Sequence, residues 1–480
     1  MSRIMTLSQT YRPDPRFLAV AADFADPVEA ARFPEQRLRY RNQRWAEAVG
    51  LGGLGESAWL GHFAGFQPLP DNLPQPLAMR YHGHQFRSYN PDIGDGRGFL
   101  FAQLRDSNGR LLDLGTKGSG QTPYSRFGDG RLTLKGGVRE VLAAAMLEAL
   151  GVYTSKAFSL VETGETLTRS DEPSPTRSAV LVRLSHSHIR FGTFQRAAYF
   201  ERADLLRSLV RHVGEAYYPE ILEESESNQP AALLGRVVGS TAKLCAQWMA
   251  AGFVHGVLNT DNMVVTGESF DYGPWRFLPH SDPGFTAAYF DQTGLYAFGR
   301  QPEACGWNLA QLGGSLALIA EQEGLVAAIE GFAPAYHRAI REALFARLGV
   351  EAGELEPDLT FLQSLFAWMT ESGAGWAQFF HDWFCGEASV ARAAASPQAS
   401  LYGEAAFAPI RAALTERHPI APHRLDHPAL QAERPPTLLI EDVEGLWAAI
   451  ADHDDWGPFE AKLATIDDLR AALSLAAIAA

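Results

Sequence analysis

Cysteine is scarce in this 480-residue chain: three residues, Cys245, Cys305 and Cys385, lie far apart and form no CxxC pair. That spacing argues against a zinc site or a disulfide framework, so buried thiols in a reducing compartment are expected. No uninterrupted apolar run is long enough to cross a bilayer. The opening stretch MSRIMTLSQTYRPDPRF has no apolar segment of signal-peptide type, so a cytoplasmic protein without a membrane partner is expected. Basic residues are the minority, 41 against 56 acidic, for a formal net charge of −15. Such a balance argues against general nucleic-acid binding. Cations gathered in a local pocket would have to be placed deliberately.

What is present is ordinary for a globular chain, with 46% hydrophobic and 20% charged residues over a length that accommodates two lobes. GFLFAQL, RDSNGR and LLDLGTK, from residue 98, read as a β-hairpin. In the following TLKGGVREVLAAAMLEALG, Val138, Val141, Leu142, Ala145, Met146 and Ala149 recur at three- and four-residue steps, predicting an amphipathic helix stopped by Gly151. Further strands are expected at KAFSLVET and SAVLVRL. Beyond about residue 195 the pattern is helical, with candidates at 199–217, 229–251, 307–321, 323–348, 357–371 and 438–451. An irregular stretch at 252–306, rich in Gly, Asp, Asn and Pro, interrupts them, and such loops between buried helices tend to carry sites.

The expected fold is therefore α+β, with a β-rich N-lobe and a helical C-lobe in a bilobal, protein-kinase-like layout. Residues 1–80 are expected as an extension packed on the core, 81–195 as the N-lobe and 196–418 as the C-lobe. A Pro-containing linker and short helical tail would occupy 419–480.

Four clusters carry the chemistry. In GDGRG (94–98), Gly94 and Gly96 would let backbone N–H groups approach phosphate oxygens and Arg97 would add charge; alone, the pentapeptide also reads as a plain turn. Lys117 closes a strand and Glu140 lies on the next helix, the arrangement with which kinases aim an ammonium at ATP phosphates; a surface lysine and a solvent-facing glutamate are the alternative. Arg183 and Arg190 near one strand end would clamp a polyphosphate, or make surface ion pairs. His186 and His188 read as structural rather than metal-binding residues, having no cysteine or acidic cluster beside them.

The fourth cluster is the sharpest. HGVLNTDN (255–262) lies over the kinase catalytic loop H-R-D-x-x-x-x-N without a gap, His255 and Asn262 matching its ends. Val257 falls where a kinase places its catalytic aspartate, and valine accepts no proton. Asp271-Tyr272-Gly273 follows as a variant of D-F-G. Asn262 and Asp271 offer the oxygen ligands that Mg²⁺ prefers, and Asp261 is the candidate base. The alternative is a polar loop whose side chains cap turns.

With GHQF (83–86), TPYSRFGDGR (122–131), SHIRFG (187–192) and DYGP (271–274), these blocks resemble the selenoprotein O family across roughly residues 80–275. The resemblance implies a kinase-fold protein adenylyltransferase that moves AMP from ATP to Ser, Thr or Tyr hydroxyls of other proteins. It also implies an ATP orientation flipped relative to ordinary kinases. Lys117, Arg183 and Arg190 would then neutralise phosphates, with Glu140 positioning Lys117. Gly94, Gly96, Arg97, Asp129 and Gly130 would line the nucleotide site. Asn262 and Asp271 would hold Mg²⁺ or Mn²⁺, and Asp261 would act as base. The family's C-terminal redox Cys or selenocysteine has no counterpart in the closing LRAALSLAAIAA. A conventional phosphotransferase and a catalytically silent nucleotide-binding scaffold remain the rival readings.

Overall fold

The computed structural model describes residues 8–170 and 172–475; the first residues of the expected extension and the last of the expected tail lie outside that range. Twelve strands are present among the described residues. They are β1 (Ala25–Pro27), β2 (Arg37–Arg41), β3 (Leu77–Met79), β4 (Gly83–Gln85), β5 (Ser88–Asn90) and β6 (Leu100–Arg105). There follow β7 (Leu111–Lys117), β8 (Leu132–Thr133), β9 (Lys156–Leu167), β10 (Thr176–Ser185), β11 (Phe253–Val254) and β12 (Arg276–Phe277). Eight of them form one antiparallel sheet in the order β1-β3-β6-β7-β10-β9-β2, with β8 on β10; β4 pairs with β5, and β11 with β12.

The expected hairpin is β6–β7, and the two further expected strands are β9 and β10. The amino-terminal segment does more than pack on the core, because β1, β2 and β3 join the sheet itself. No alternation marked these strands in the sequence; they are three to five residues long.

Alternation, shifted by a bulge in β9, sorts the sheet residues onto two faces. Phe158, Val161, Val180, Val182, Leu112 and Leu114 pack with Trp59 and Phe63 of the preceding helix Glu56–Phe63. Ala157, Leu160, Ala179 and Leu181 face the other way, onto Val138, Val141 and Leu142. Those three belong to the expected helix, observed as Leu134–Ala149. The Thr133 hydroxyl accepts the N–H of Gly136 at its start, and Gly151 follows its end with φ +79°.

The helix Gln229–Ala251 has the expected boundaries. Others differ for local reasons. The helix expected over 323–348 is two, Gln322–Glu330 and Phe332–Leu348, hinged at Gly331. That expected over 199–217 starts only at Ala203 and runs to Tyr217, after a turn in which Glu201 has φ +54°; a separate helix, Phe191–Tyr199, precedes that turn. The helix expected at 307–321 runs instead from Gln301 to Leu316, with a proline in its first turn. The tail is longer than expected: Ile440–His453 is followed by Gly457–Leu473, which packs on Leu134–Ala149. Short helices between 376 and 415 went unrecognised because none offers enough turns for a clear period. No described helix is long and apolar enough to cross a membrane. The three cysteines are buried and unpaired.

A buried joint connects β10 with the segment that follows the catalytic-loop motif. Glu268 accepts the N–H of His186 at 2.8 Å. Burial raises its carboxyl from 4.5 to about 7, against the opposing pull of Lys156 and Arg110. Folded Glu268 thus holds its proton more tightly than the unfolded chain does. Its stabilising contribution is full below pH 4.5 and is lost as pH rises through about 7. Glu268→Gln should therefore gain on the parent by on the order of 3 kcal/mol across that window. Urea unfolding at a series of pH values measures the gap; a gap that does not change with pH would overturn the expectation.

Candidate active site

Lys117 and Arg183 reach one place because of strand parity. In the β7–β10 register Lys117 lies opposite Leu181, and Arg183 opposite Gly115. Both therefore point to the sheet face that carries Leu134–Ala149. Lys117 Nζ donates to Glu140 Oε1 on that helix at 2.5 Å and to Asp271 Oδ1 at 2.5 Å. Arg183 Nη1 lies 3.5 Å from the same Asp271 oxygen. The strand-lysine to helix-glutamate pair read from spacing is present, and both side chains are buried.

Arg190 arrives by another route. Its residue forms a bridge with Val264, and the N–H of Phe191 donates to the Met263 carbonyl, pinning this segment against the loop that contains Asp261. The guanidinium donates to the Asp261 carbonyl at 2.9 Å and to Asp95 Oδ1 at 3.1 Å, and lies over the rings of Tyr81 and Phe270.

These groups border one polar cavity of about 620 Å³. Gly94, Gly96, Arg97, Lys117, Asp129, Gly130, Arg183, Arg190, Asp261 and Asp271 all line it. Glu140 and Asn262 do not: Glu140 stands behind Lys117, and Asn262 Nδ2 donates to the Val257 carbonyl at 3.0 Å. In all, seven basic side chains (Arg97, Lys117, Arg126, Arg131, Arg169, Arg183, Arg190) meet four acidic ones (Asp95, Asp129, Asp261, Asp271). The wall thus carries a formal excess of three positive charges, 7 − 4, in a chain of net −15. Such a surface attracts polyanions.

The two glycine-rich loops meet at the cavity rim. A side chain at Gly94 would strike the Tyr124 ring, its Cβ only 2.4 Å away, and Gly130 has φ +70° with the Gly120 backbone 2.2 Å from a Cβ. The Arg97 carbonyl accepts the N–H of Gly118 at 2.6 Å, tying the first loop to the end of β7. Asp129 turns its carboxylate to Arg169 at 2.8 and 3.0 Å and to the Arg131 N–H at 2.9 Å, so it holds the loop.

In the loop after β11, buried His255 lies 3.0 Å from the Phe270 carbonyl through Nε2 and accepts the Val257 N–H through Nδ1. Thr260 and Asn259 are gripped by the β4–β5 hairpin: the His84 N–H donates to Thr260 Oγ1 and the Phe86 N–H to Asn259 Oδ1. Gln85 Nε2 donates to Asp261 Oδ2 at 3.4 Å, whereas Asp261 Oδ1 has no partner among the described residues. Burial raises the Asp261 carboxyl to about 6, opposed by Arg190. Burial would also raise Asp271, but Lys117, Arg183 and Arg190 outweigh it and hold that carboxyl well below the usual range.

Asp95, Arg169 and the bonding role of GHQF were not legible in the sequence. Asp95 lies inside the glycine-rich motif, where a short acidic side chain reads as part of the turn; Arg169 is 40 residues from its partner Asp129. His186 and His188 bond within the protein, to Tyr153 and Asp113. Among the described residues no cluster of three or more His, Cys, Asp or Glu side chains could hold a metal. Mg²⁺ needs only one or two protein oxygens when phosphates and water complete its shell. Asp271 and the amide oxygen of Asn262 are of that kind, and the unpartnered Asp261 Oδ1 is a further buried oxygen beside them.

Comparison with known proteins gives the lineage. The profile of the family "Protein adenylyltransferase SelO" matches residues 6–467. The chain belongs to the SelO family. The protein nucleotidyltransferase YdiU of Synechococcus elongatus is 52% identical over 347 residues, 71% of this chain and 69% of its own. That of Gloeobacter violaceus is 45% identical over 464 residues, 93% of each chain. The Synechocystis relative of the same name is 43% identical over 478 residues, 94% of this chain and 97% of its own. SelO membership makes the reaction class protein nucleotidyl transfer, with ATP as the substrate.

Proposed function

We propose that the cleft transfers AMP from ATP to Ser, Thr or Tyr hydroxyls of protein substrates, expelling pyrophosphate, on a kinase-like frame. In that frame residues 81–195 supply one lobe, with strands from the first 80, and 196–418 the other, with 419–480 as linker and tail. The observation that carries the reading is the convergence of buried Lys117, Arg183 and Arg190 with the partly exposed Asp271 on one cationic cavity.

Attack at the α-phosphate builds negative charge on the departing pyrophosphate. Fixed cations stabilise that charge without the reorganisation that water would need. Lys117, held by Glu140, and the two arginines occupy that role. Gly94, Gly96 and Gly130 let backbone approach the nucleotide, Arg97 adds charge, and Asp129 keeps the second loop in shape. Asp271 and Asn262 would bind Mg²⁺ or Mn²⁺, which when bound adds cationic charge beside the phosphates. Valine at 257 leaves the usual kinase position without a base, and Asp261 takes the proton from the acceptor hydroxyl.

The position of a radiolabel tests this. Incubated with Mg²⁺ and a protein acceptor, ATP labelled at the α-phosphate should label protein, and γ-labelled ATP should not. Protein labelled from the γ-position would instead indicate a phosphotransferase. ATP binding with neither label transferred would indicate a silent scaffold.

A further inference from the structure

A second cavity, of about 360 Å³, lies away from the nucleotide cleft. It is bounded by Met146 and Leu150 at the end of Leu134–Ala149, by Trp376 and Phe380, and by Leu469 and Leu473 of the tail. Its wall is mainly apolar and includes no aspartate or glutamate.

Two arginines stand in that wall, Arg434, which is exposed, and Arg347, which is the buried one. Arg347, in the last turn of Phe332–Leu348, is only 6% exposed. Among the described residues it makes no ion pair; its Nε has no hydrogen-bond partner, and its guanidinium lies 5.3 Å from the centre of the Phe380 ring. Burial pushes its pKa down to about 10, with no acid nearby to oppose the shift.

The other fully buried cations all have acids. Lys117 has Glu140 and Asp271, Lys156 has Glu148, Arg183 has Asp271, and Arg190 has Asp95. Removing a charge from water without a partner costs several kcal/mol. Arg347 therefore leaves a charge for something else to match.

We propose that this cavity binds an aliphatic monocarboxylate, its chain against the leucines and aromatic rings and its carboxylate on Arg347. A planar guanidinium matches a carboxylate through two parallel hydrogen bonds. Arg347 is the one buried cation of the wall, and a single buried cation balances a single negative charge. Each buried methylene adds about 0.8 kcal/mol, so chain length and head group contribute separately.

Isothermal titration of the full chain with sodium decanoate tests the proposal, with uncharged methyl decanoate as comparator. One equivalent of decanoate should bind, at least about tenfold more tightly than the ester, a 1.4 kcal/mol difference. Arg347→Leu should abolish that preference. Replacing an unpaired buried charge by an apolar group is expected to stabilise the fold, so the variant should remain folded. Ala377→Phe, which narrows the cavity, should weaken both ligands. Absence of saturable decanoate binding, equal binding of acid and ester, or full decanoate affinity in either variant would each overturn the proposal.

Discussion

Replacing Asp271 should abolish transfer of α-label from ATP to protein, a fall of about a thousandfold or more. This carboxylate is the meeting point of the site: Lys117 Nζ lies 2.5 Å from Oδ1 and Arg183 3.5 Å from it. The low pKa that Lys117, Arg183 and Arg190 impose keeps it charged, as the proposed metal role requires. Asp271→Ala removes the oxygens but also places alanine at φ +64°, a conformation that asparagine tolerates better. Asp271→Asn is therefore the cleaner variant, since it keeps shape and backbone while losing charge. Lys117 retains Glu140 in both variants. ATP binding should thus survive, measured by equilibrium titration, while single-turnover label transfer collapses. Transfer within tenfold of the parent in Asp271→Asn would remove Asp271 from the metal role.

The parts of the site legible in the sequence were those carried by short-range rules. The positions of Lys117 at a strand end, Glu140 on the next helix and Arg183 at the end of another strand were legible, and motif spacing singled out Asp261 and Asp271. Long-range reciprocity was not legible. Nothing in the local pattern of GHQF signals that its backbone N–H groups hold Asn259 and Thr260, which are 173 and 176 residues away. The same holds for β2, whose partner in the sheet is β9. A five-residue strand with polar neighbours acquires its identity from the edge it pairs with, so composition alone could not distinguish it from a loop. Arg347 is the opposite case. In sequence it is one more arginine at the end of a helix, where a cation is ordinarily favoured. Only its burial, with no carboxylate within reach, sets it apart.

Asp261→Asn should leave ATP affinity within a few-fold of the parent and reduce α-label transfer by about a hundredfold to ten-thousandfold, the range for removing a positioned base. The side chain lines the cavity, and its Oδ1 has no partner among the described residues, so an oxygen is available to a hydroxyl proton. The backbone around it is held independently of that oxygen. Arg190 bonds the Asp261 carbonyl, and Thr260 is bonded to His84 and Gln195, so the amide should sit where the carboxylate sat. Loss of rate with intact binding would then report the missing proton acceptor rather than a displaced loop. Gln85→Ala separates the two further: it removes a long 3.4 Å contact to Oδ2 and a 3.1 Å bond from Asn90 Nδ2 within the hairpin, and should cost less than tenfold. If Asp261→Asn transferred AMP within tenfold of the parent, the proton would have to leave the acceptor hydroxyl by another route. With valine at 257, the neighbouring loop supplies no carboxylate in its place.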